Sequence, residues 1–197
     1  MLQVEQHGDV TRFEMTSVAS RILGYSASAY SIGGVLVDCG FHWARREIDA
    51  ILDRERPRGV LITHHHEDHA GNVERIAHRG IPLAASAETL ARMRSPAPIQ
   101  TYRRFTWGSA PPLRSPVTPF ESDRLRLLPA PGHCSDHHIV WDEADGTLFG
   151  GDLYLGVKVR IAHRGEDPRA LARTLRAVAA LGPARFFDAH RGYVPNP

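Results

Sequence analysis

Between Thr63 and Asn72 the chain reads Thr-His-His-His-Glu-Asp-His-Ala-Gly-Asn. By spacing this is His64-x-His66-x-Asp68-His69, directly after the apolar run Val60-Leu61-Ile62. Imidazole nitrogen and carboxylate oxygen are the donors that zinc and similar divalent cations take. Alternate side chains of an extended segment leave opposite faces, so His64 and His66 share one face and His65 and Glu67 the other. Ala70, Val73, Ile76 and Ala77 recur at helical spacing, which predicts a helix from near Asp68 to about Arg79. Asp68 and His69 then sit on its first turn, facing away from the His64/His66 pair. The segment offers two adjacent half-sites, and closing either requires donors from elsewhere.

Three further candidates stand after apolar stretches. His133 follows Ala130-Pro131-Gly132, Asp152 follows Phe149-Gly150-Gly151, and His190 follows Phe187-Asp188-Ala189. Glycine permits the turns and close approaches such loops need. Donors on loops at one end of a rigid sheet are a usual way to build a precise site.

The elements that must position these residues follow from pattern. Residues 1 to 40 read as strands, with a hairpin of Ala29 to Ile32 and Val35 to Val37 around Gly33-Gly34, ending at Asp38. Residues 43 to 55 read as a helix with Ile48, Ile51 and Leu52 as its apolar stripe, stopped by Pro57. A strand at 60 to 63, the helix after His69, a short strand at Ile81 to Ala85 and a short helix at 87 to 94 continue the alternation. That order argues for layered α/β architecture. Strands return at Leu125 to Leu128, Ile139 to Trp141 and Thr147 to Phe149. Asp167 caps a last helix with Pro168 at its first position, which runs to about Leu181, and Ala184 to Asp188 is the final predicted strand. Residues 95 to 119 break the pattern. Six prolines fall there with Tyr102, Phe105 and Trp107 between them, read as a loop forming a lid or wall of a substrate cleft.

With 197 residues the chain suits a single domain spanning 1–197. Net charge is +2, a balance that says nothing strong about nucleic acid. No apolar run is long enough to span a membrane, and no secretory pattern opens the chain. Cys39 and Cys134 make no disulfide framework, so a cytoplasmic location is the expectation. Lys158 is the only lysine among scattered arginines, a pattern of GC-rich codon usage. Cys134 is read as a packing residue, His65, His137 and His138 as surface or supporting residues, and His7, His42, His78 and His163 as ordinary.

The full series, His64-x-His66-x-Asp68-His69, then Pro-Gly-His133, then Gly-Gly-Asp152, then His190, resembles that of the metallo-β-lactamase-fold superfamily. The resemblance covers almost the whole chain and implies its fold, an αββα sandwich of two mixed β-sheets flanked by helices. It implies two divalent metal ions, zinc first, with iron or manganese suited to the same donors. His64, His66 and His133 would hold one; Asp68, His69 and His190 the other; Asp152 would bridge both. Asp38 matches the aspartate that orients a ligand or its loop. Asp68 and Asp152 carry the catalytic roles, placing a metal-bridging hydroxide that attacks an ester, thioester or lactone carbonyl. Phosphodiester cleavage of RNA is the alternative. The common zinc lactamases lack a histidine at the place of His69 and use a cysteine near Asp152. The set is closer to the dinuclear glyoxalase II-like and lactonase-like hydrolases. Arg191 departs from the glycine usual there, and the helical C-terminal domain of glyoxalase II has no counterpart. The implied partner is a small-molecule substrate rather than nucleic acid or a membrane, and a homodimer is compatible with the reading.

Overall fold

Two sheets pack face to face with helices on both outer surfaces. The computed structural model describes residues 1–154 and 165–195, so Lys158 and His163 lie outside the described residues. The first sheet runs in sequence order: β1 (Leu2–His7), β2 (Val10–Met15), β3 (Ala27–Ile32), β4 (Val35–Val37), β5 (Gly59–Leu61) and β6 (Leu83–Ala84). Its first four strands are antiparallel. β4, β5 and β6 are parallel, joined through α2 (Arg45–Glu55) and α3 (Val73–His78). The predicted hairpin pairs Ile32 with Val35 across Gly33 and Gly34, both at positive φ (54° and 74°). A turn of that hand matches the twist of the strands, and glycine adopts it without penalty.

The second sheet has the order β11-β10-β9-β8-β7, with β7 at Leu125–Pro129, β8 at His138–Asp142, β9 at Thr147–Phe149, β10 at Arg185–Asp188 and β11 at Gly192–Val194. β9 and β10 are parallel and the other pairs antiparallel, so both sheets are mixed. α6 (Pro168–Leu181) is a link in the chain between β9 and β10. The Asp167 carboxylate accepts from Arg169 and Ala170 N–H, and Gly182 ends the helix left-handed.

Strand alternation sorts the core. Val140, Phe149 and Phe187 face inward against Tyr30, Ile32, Val37 and Leu61 of the first sheet. Their neighbours Ile139, Trp141, Leu148 and Phe186 face outward, with Leu171 and Val178 of α6 packed on them. Ile48, Ile51 and Leu52 of α2 and Val73 and Ile76 of α3 cover the outer face of the first sheet.

The structure departs from the sequence reading in particular places. Residues 66–72 form tight turns and α3 begins only at Val73, so Asp68 and His69 are turn residues rather than the first turn of a helix. Within 95–119 a helix, α5 (Thr101–Trp107), follows Gln100. The helix expected from 43 begins as a 3₁₀ turn at His42–Ala44, α1 (Val18–Ile22) interrupts the strands expected over 1 to 40, and β11 lies beyond the final predicted strand.

Phe149 is buried and stacks on Phe187 with ring centroids 5.4 Å apart. Phe149→Ala is expected to lower the free energy of unfolding by about 3–5 kcal/mol, because the cavity adds to the lost transfer energy. Denaturant unfolding measures this, and a loss under about 1 kcal/mol contradicts the packing.

Candidate metal centre

Each candidate donor follows the C-terminal end of a strand. Asp38 follows β4, the 64–69 turn follows β5, His133 follows β7, Asp152 follows β9 and His190 follows β10. Five strand ends therefore deliver their loops to one edge of the sandwich.

Two clusters form there. Donor atoms of His64, His66, His133 and Asp152 all lie within 4.8 Å of one another, as do those of Asp68, His69, Asp152 and His190. Asp152 belongs to both, and its two oxygens divide between them. Oδ2 lies 3.2 Å from His133 Nε2 and 3.9 Å from His64 Nε2. Oδ1 lies 3.0 Å from both His69 Nε2 and His190 Nε2. Asp68 Oδ2 completes the second cluster at 3.6 Å from His190 Nε2 and 4.0 Å from His69 Nε2.

The residues fit cations. Buried polar atoms are nearly always satisfied, so His64 Nε2, unpartnered and 3.9 Å from Asp152 Oδ2, marks a place for a charged ligand. The nitrogen-and-oxygen donor set suits zinc, iron or manganese.

Surrounding groups fix which ring nitrogen faces inward. Asp38 Oδ2 accepts from His69 Nδ1 at 2.8 Å, which turns Nε2 toward Asp152 Oδ1 in the second cluster. Thr63 Oγ1 donates to Asp38 at 2.9 Å and so must accept from His64 Nδ1 at 3.0 Å, which leaves His64 Nε2 as the lone-pair nitrogen. His190 Nδ1 donates to the Ser26 carbonyl at 2.6 Å, and the Asp188 carboxylate accepts from the His190 and Arg191 N–H groups. Asp38 thus serves two histidines from a left-handed backbone at φ 60°.

His137 is buried, so of its two expected places the supporting one holds and the surface one does not. Its Nε2 accepts from Asp152 N–H at 3.0 Å, and its Nδ1 donates to the Ala130 carbonyl at 2.9 Å. Burial pushes its pKa down to about 3, so it stays neutral as both bonds require. Gly151 is fitted to this contact: its φ is +53°, and a Cβ there would fall 2.8 Å from His137 Nε2. Asp136 accepts from His65 N–H and from Thr89 Oγ1, and its Oδ1 lies 2.8 Å from His65 Nδ1. Cys134 is a buried free thiol, whereas His138 is only part-buried. Arg103 binds Glu67 through two hydrogen bonds of 2.6 and 2.8 Å, with Asp68 Oδ1 3.8 Å from its Nη2. These supporting roles depend on packing between distant segments, and no spacing rule announces them.

The electrostatics are those of a site awaiting positive charge. Burial lowers the pKa of His64 and His66 far below the ordinary histidine value and also lowers that of His133. Burial opposes a charge on His69 as well, but the Asp152, Asp38 and Asp68 carboxylates outweigh it and raise its pKa well above the ordinary value. His190 is likewise pushed up to about 10, burial being overcome by Asp152 and Asp68. Burial disfavours the Asp152 carboxylate, yet His69, His190 and His133 hold its pKa well below the usual range.

An αββα sandwich with two carboxylate-linked histidine clusters at one edge defines a metal-binding hydrolase class. The family model described as the metallo-beta-lactamase superfamily matches residues 26–190, and the chain belongs to that superfamily of hydrolases. It is 29% identical over 207 residues to the Beta-lactamase-like protein 2 homolog of Drosophila melanogaster, covering 95% of this chain and 68% of that protein. It is 33% identical over 148 residues to a hydroxyacylglutathione hydrolase of Alkalilimnicola ehrlichii, covering 72% of this chain and 50% of that enzyme. The crystal structure of DIM-1 metallo-beta-lactamase superposes with a TM-score of 0.73 over 98% of this chain and 90% of that one, at 17% identity. The last likeness shows the fold alone. The chain spans about half to two thirds of the length of these curated relatives.

Asp38→Asn keeps a residue that tolerates the left-handed backbone and removes the charge. Metal affinity, read by competition with a chelator, is expected to fall about 10- to 100-fold, and unchanged affinity contradicts the role. His69 and His190 hold protons at pH 7 in the metal-free protein, and both must lose them to act as ligands. Calorimetry in buffers of different ionisation enthalpy is expected to show about two protons released on full loading, and none released contradicts the picture.

Proposed function

We propose that the protein is a dinuclear metal-dependent hydrolase of an ester, thioester or lactone carbonyl. One observation carries the reading: the buried Asp152 carboxylate presents one oxygen to each of two complete donor clusters. A single cation would need only one of those clusters.

His64, His66, His133 and Asp152 Oδ2 would hold one cation; Asp68 Oδ2, His69, His190 and Asp152 Oδ1 the other. When bound, a pair of divalent cations supplies hydroxide at neutral pH, polarises the carbonyl and offsets charge on the leaving oxygen or sulfur. The chain's own residues supply the geometry. Asp152 and Asp68 bring negative charge that keeps the loaded site near balance. Asp68 would also accept a hydrogen bond from the attacking water and orient it, its Oδ1 lying 3.8 Å from Arg103 Nη2. Thr63, Asp38 and the Ser26 carbonyl keep His64, His69 and His190 in the tautomers that expose Nε2. No serine or cysteine nucleophile is required: Ser135 Oγ donates to the Glu88 carboxylate at 2.6 Å, and burial pushes the Cys134 thiol pKa up, against thiolate. The hydroxyacylglutathione hydrolase relatives support the carbonyl reading over RNA cleavage.

Metal analysis of the purified protein, followed by turnover of matched ester, thioester and lactone substrates, tests this reading. Two equivalents of metal per chain and chelator-reversible hydrolysis are the expected results. Asp152→Ala is expected to lose at least one equivalent and about 1,000-fold or more in kcat, since both positions share that carboxylate. Full activity in that variant overturns the assignment.

A further inference from the structure

A cleft of about 570 Å³ adjoins the metal centre, within the range of small-molecule sites. His66 lies in its wall, and His66 Nδ1 is 2.9 Å from His133 Nε2 in the first cluster. His66 is the one assigned donor in its wall, so the cleft borders the first cluster on the His66 side. Its far side comes from the 95–111 segment, with α4 (Ala87–Arg94) and α5 beside it. Met93, Ile99 and several prolines make much of the lining apolar.

The charges of the lining are unequal. Arg92, Arg103 and Arg104 face a single carboxylate, Glu67. Glu67 is fully taken by Arg103. Arg92 bonds Glu88 Oε1 at 2.8 Å and Ser135 Oγ at 3.0 Å. The Arg104 guanidinium, on α5, has no hydrogen-bond or ion-pair partner among the described residues. Arg104 is exposed at the rim of this partly apolar cleft, and its unpaired guanidinium has the fork geometry that carboxylate and phosphate match.

We propose that this cleft seats a substrate with an apolar stem ending in a carboxylate or phosphate, and that Arg104 binds that anion while the scissile carbonyl lies at the metal centre. The proposal rests on the hydrolase reading and adds a specificity-determining residue. The stem packs on Met93 and Ile99, and the anion at Arg104 fixes how far the substrate enters.

The test uses thioesters of equal acyl length whose far end is methyl, carboxylate or phosphate. The wild-type enzyme is expected to favour an anionic end by at least about tenfold in kcat/KM, the two anionic arms showing which anion is taken. In Arg104→Ala the anionic-to-neutral ratio falls about 10- to 100-fold, carried by KM for the anionic substrate, and Arg104→Lys recovers part of it. Non-hydrolysable amides of the same acids, titrated by calorimetry, show the same loss of affinity in Arg104→Ala. If no thioester is cleaved but the amides bind in an Arg104-dependent way, the hydrolase reading fails and the cleft assignment stands. If neutral and anionic thioesters are cleaved alike and the amides bind alike, the cleft assignment is overturned and the hydrolase reading stands. An equal loss in Arg176→Ala, an exposed arginine on α6 over the other sheet, reduces the effect to general charge and also overturns it. So does salt-sensitive, Arg104-dependent binding of an oligoribonucleotide when the amides do not bind.

Discussion

A buried carboxylate in low-dielectric surroundings must be matched by positive charge, and at Asp152 that demand organises the molecule. Burial alone would drive its proton on; three histidines around it hold the pKa well below the ordinary range. Without cations, His69 and His190 keep protons they would otherwise shed. The chain thus balances the same charge in two ways, with protons or with metal. The buried, unpartnered His64 Nε2, 3.9 Å from the same carboxylate, suits metal rather than a proton.

That balance is useful only if the donors cannot drift. The fold holds them by placing each on a loop directly after a strand of the sandwich. Cross-links then tie the loops together. Cys39 N–H donates to the His69 carbonyl, and Gly71 N–H to the Gly40 carbonyl. Asn72 donates to the Cys39 and Phe41 carbonyls. At Gly71 a Cβ would lie 2.3 Å from the Glu67 carbonyl oxygen and 2.7 Å from Phe41 Cα, so the turn closes only on glycine. His137 fastens the Asp152 backbone to β7's end through Ala130, linking the shared carboxylate to the second sheet.

The chain's chemistry was more legible than its scaffolding. His64, His66, Asp68, His69, His133, Asp152 and His190 stand out because their types are costly to bury without a purpose and their spacing follows apolar strands. The alternation of strand and helix, and the Asp167-Pro168 helix start, are local signals and read directly. The helix expected from Asp68 is different. Apolar spacing at Ala70 and Val73 mimics helical period, but backbone bonds from His69 and Ala70 N–H to the His66 carbonyl fold the segment into turns first. α5 was hidden because prolines crowd the segment around it, and α1 and β11 are too short to show a period. Thr63, His137 and Arg103 act only through partners far along the chain, so no local pattern could mark them.

The cleft wall formed by 95–111 gives the metal edge of the sandwich a chemical environment of its own, apolar along one side and cationic at Arg104. The central claim, that one carboxylate serves two cations, is tested most directly by anomalous diffraction from crystals of metal-loaded protein. The account predicts two peaks roughly 3.5–4 Å apart, one on either side of the Asp152 carboxylate, ringed by the histidines assigned to each. A single peak at His64, His66 and His133 under saturating metal, or peaks away from Asp152, would contradict it.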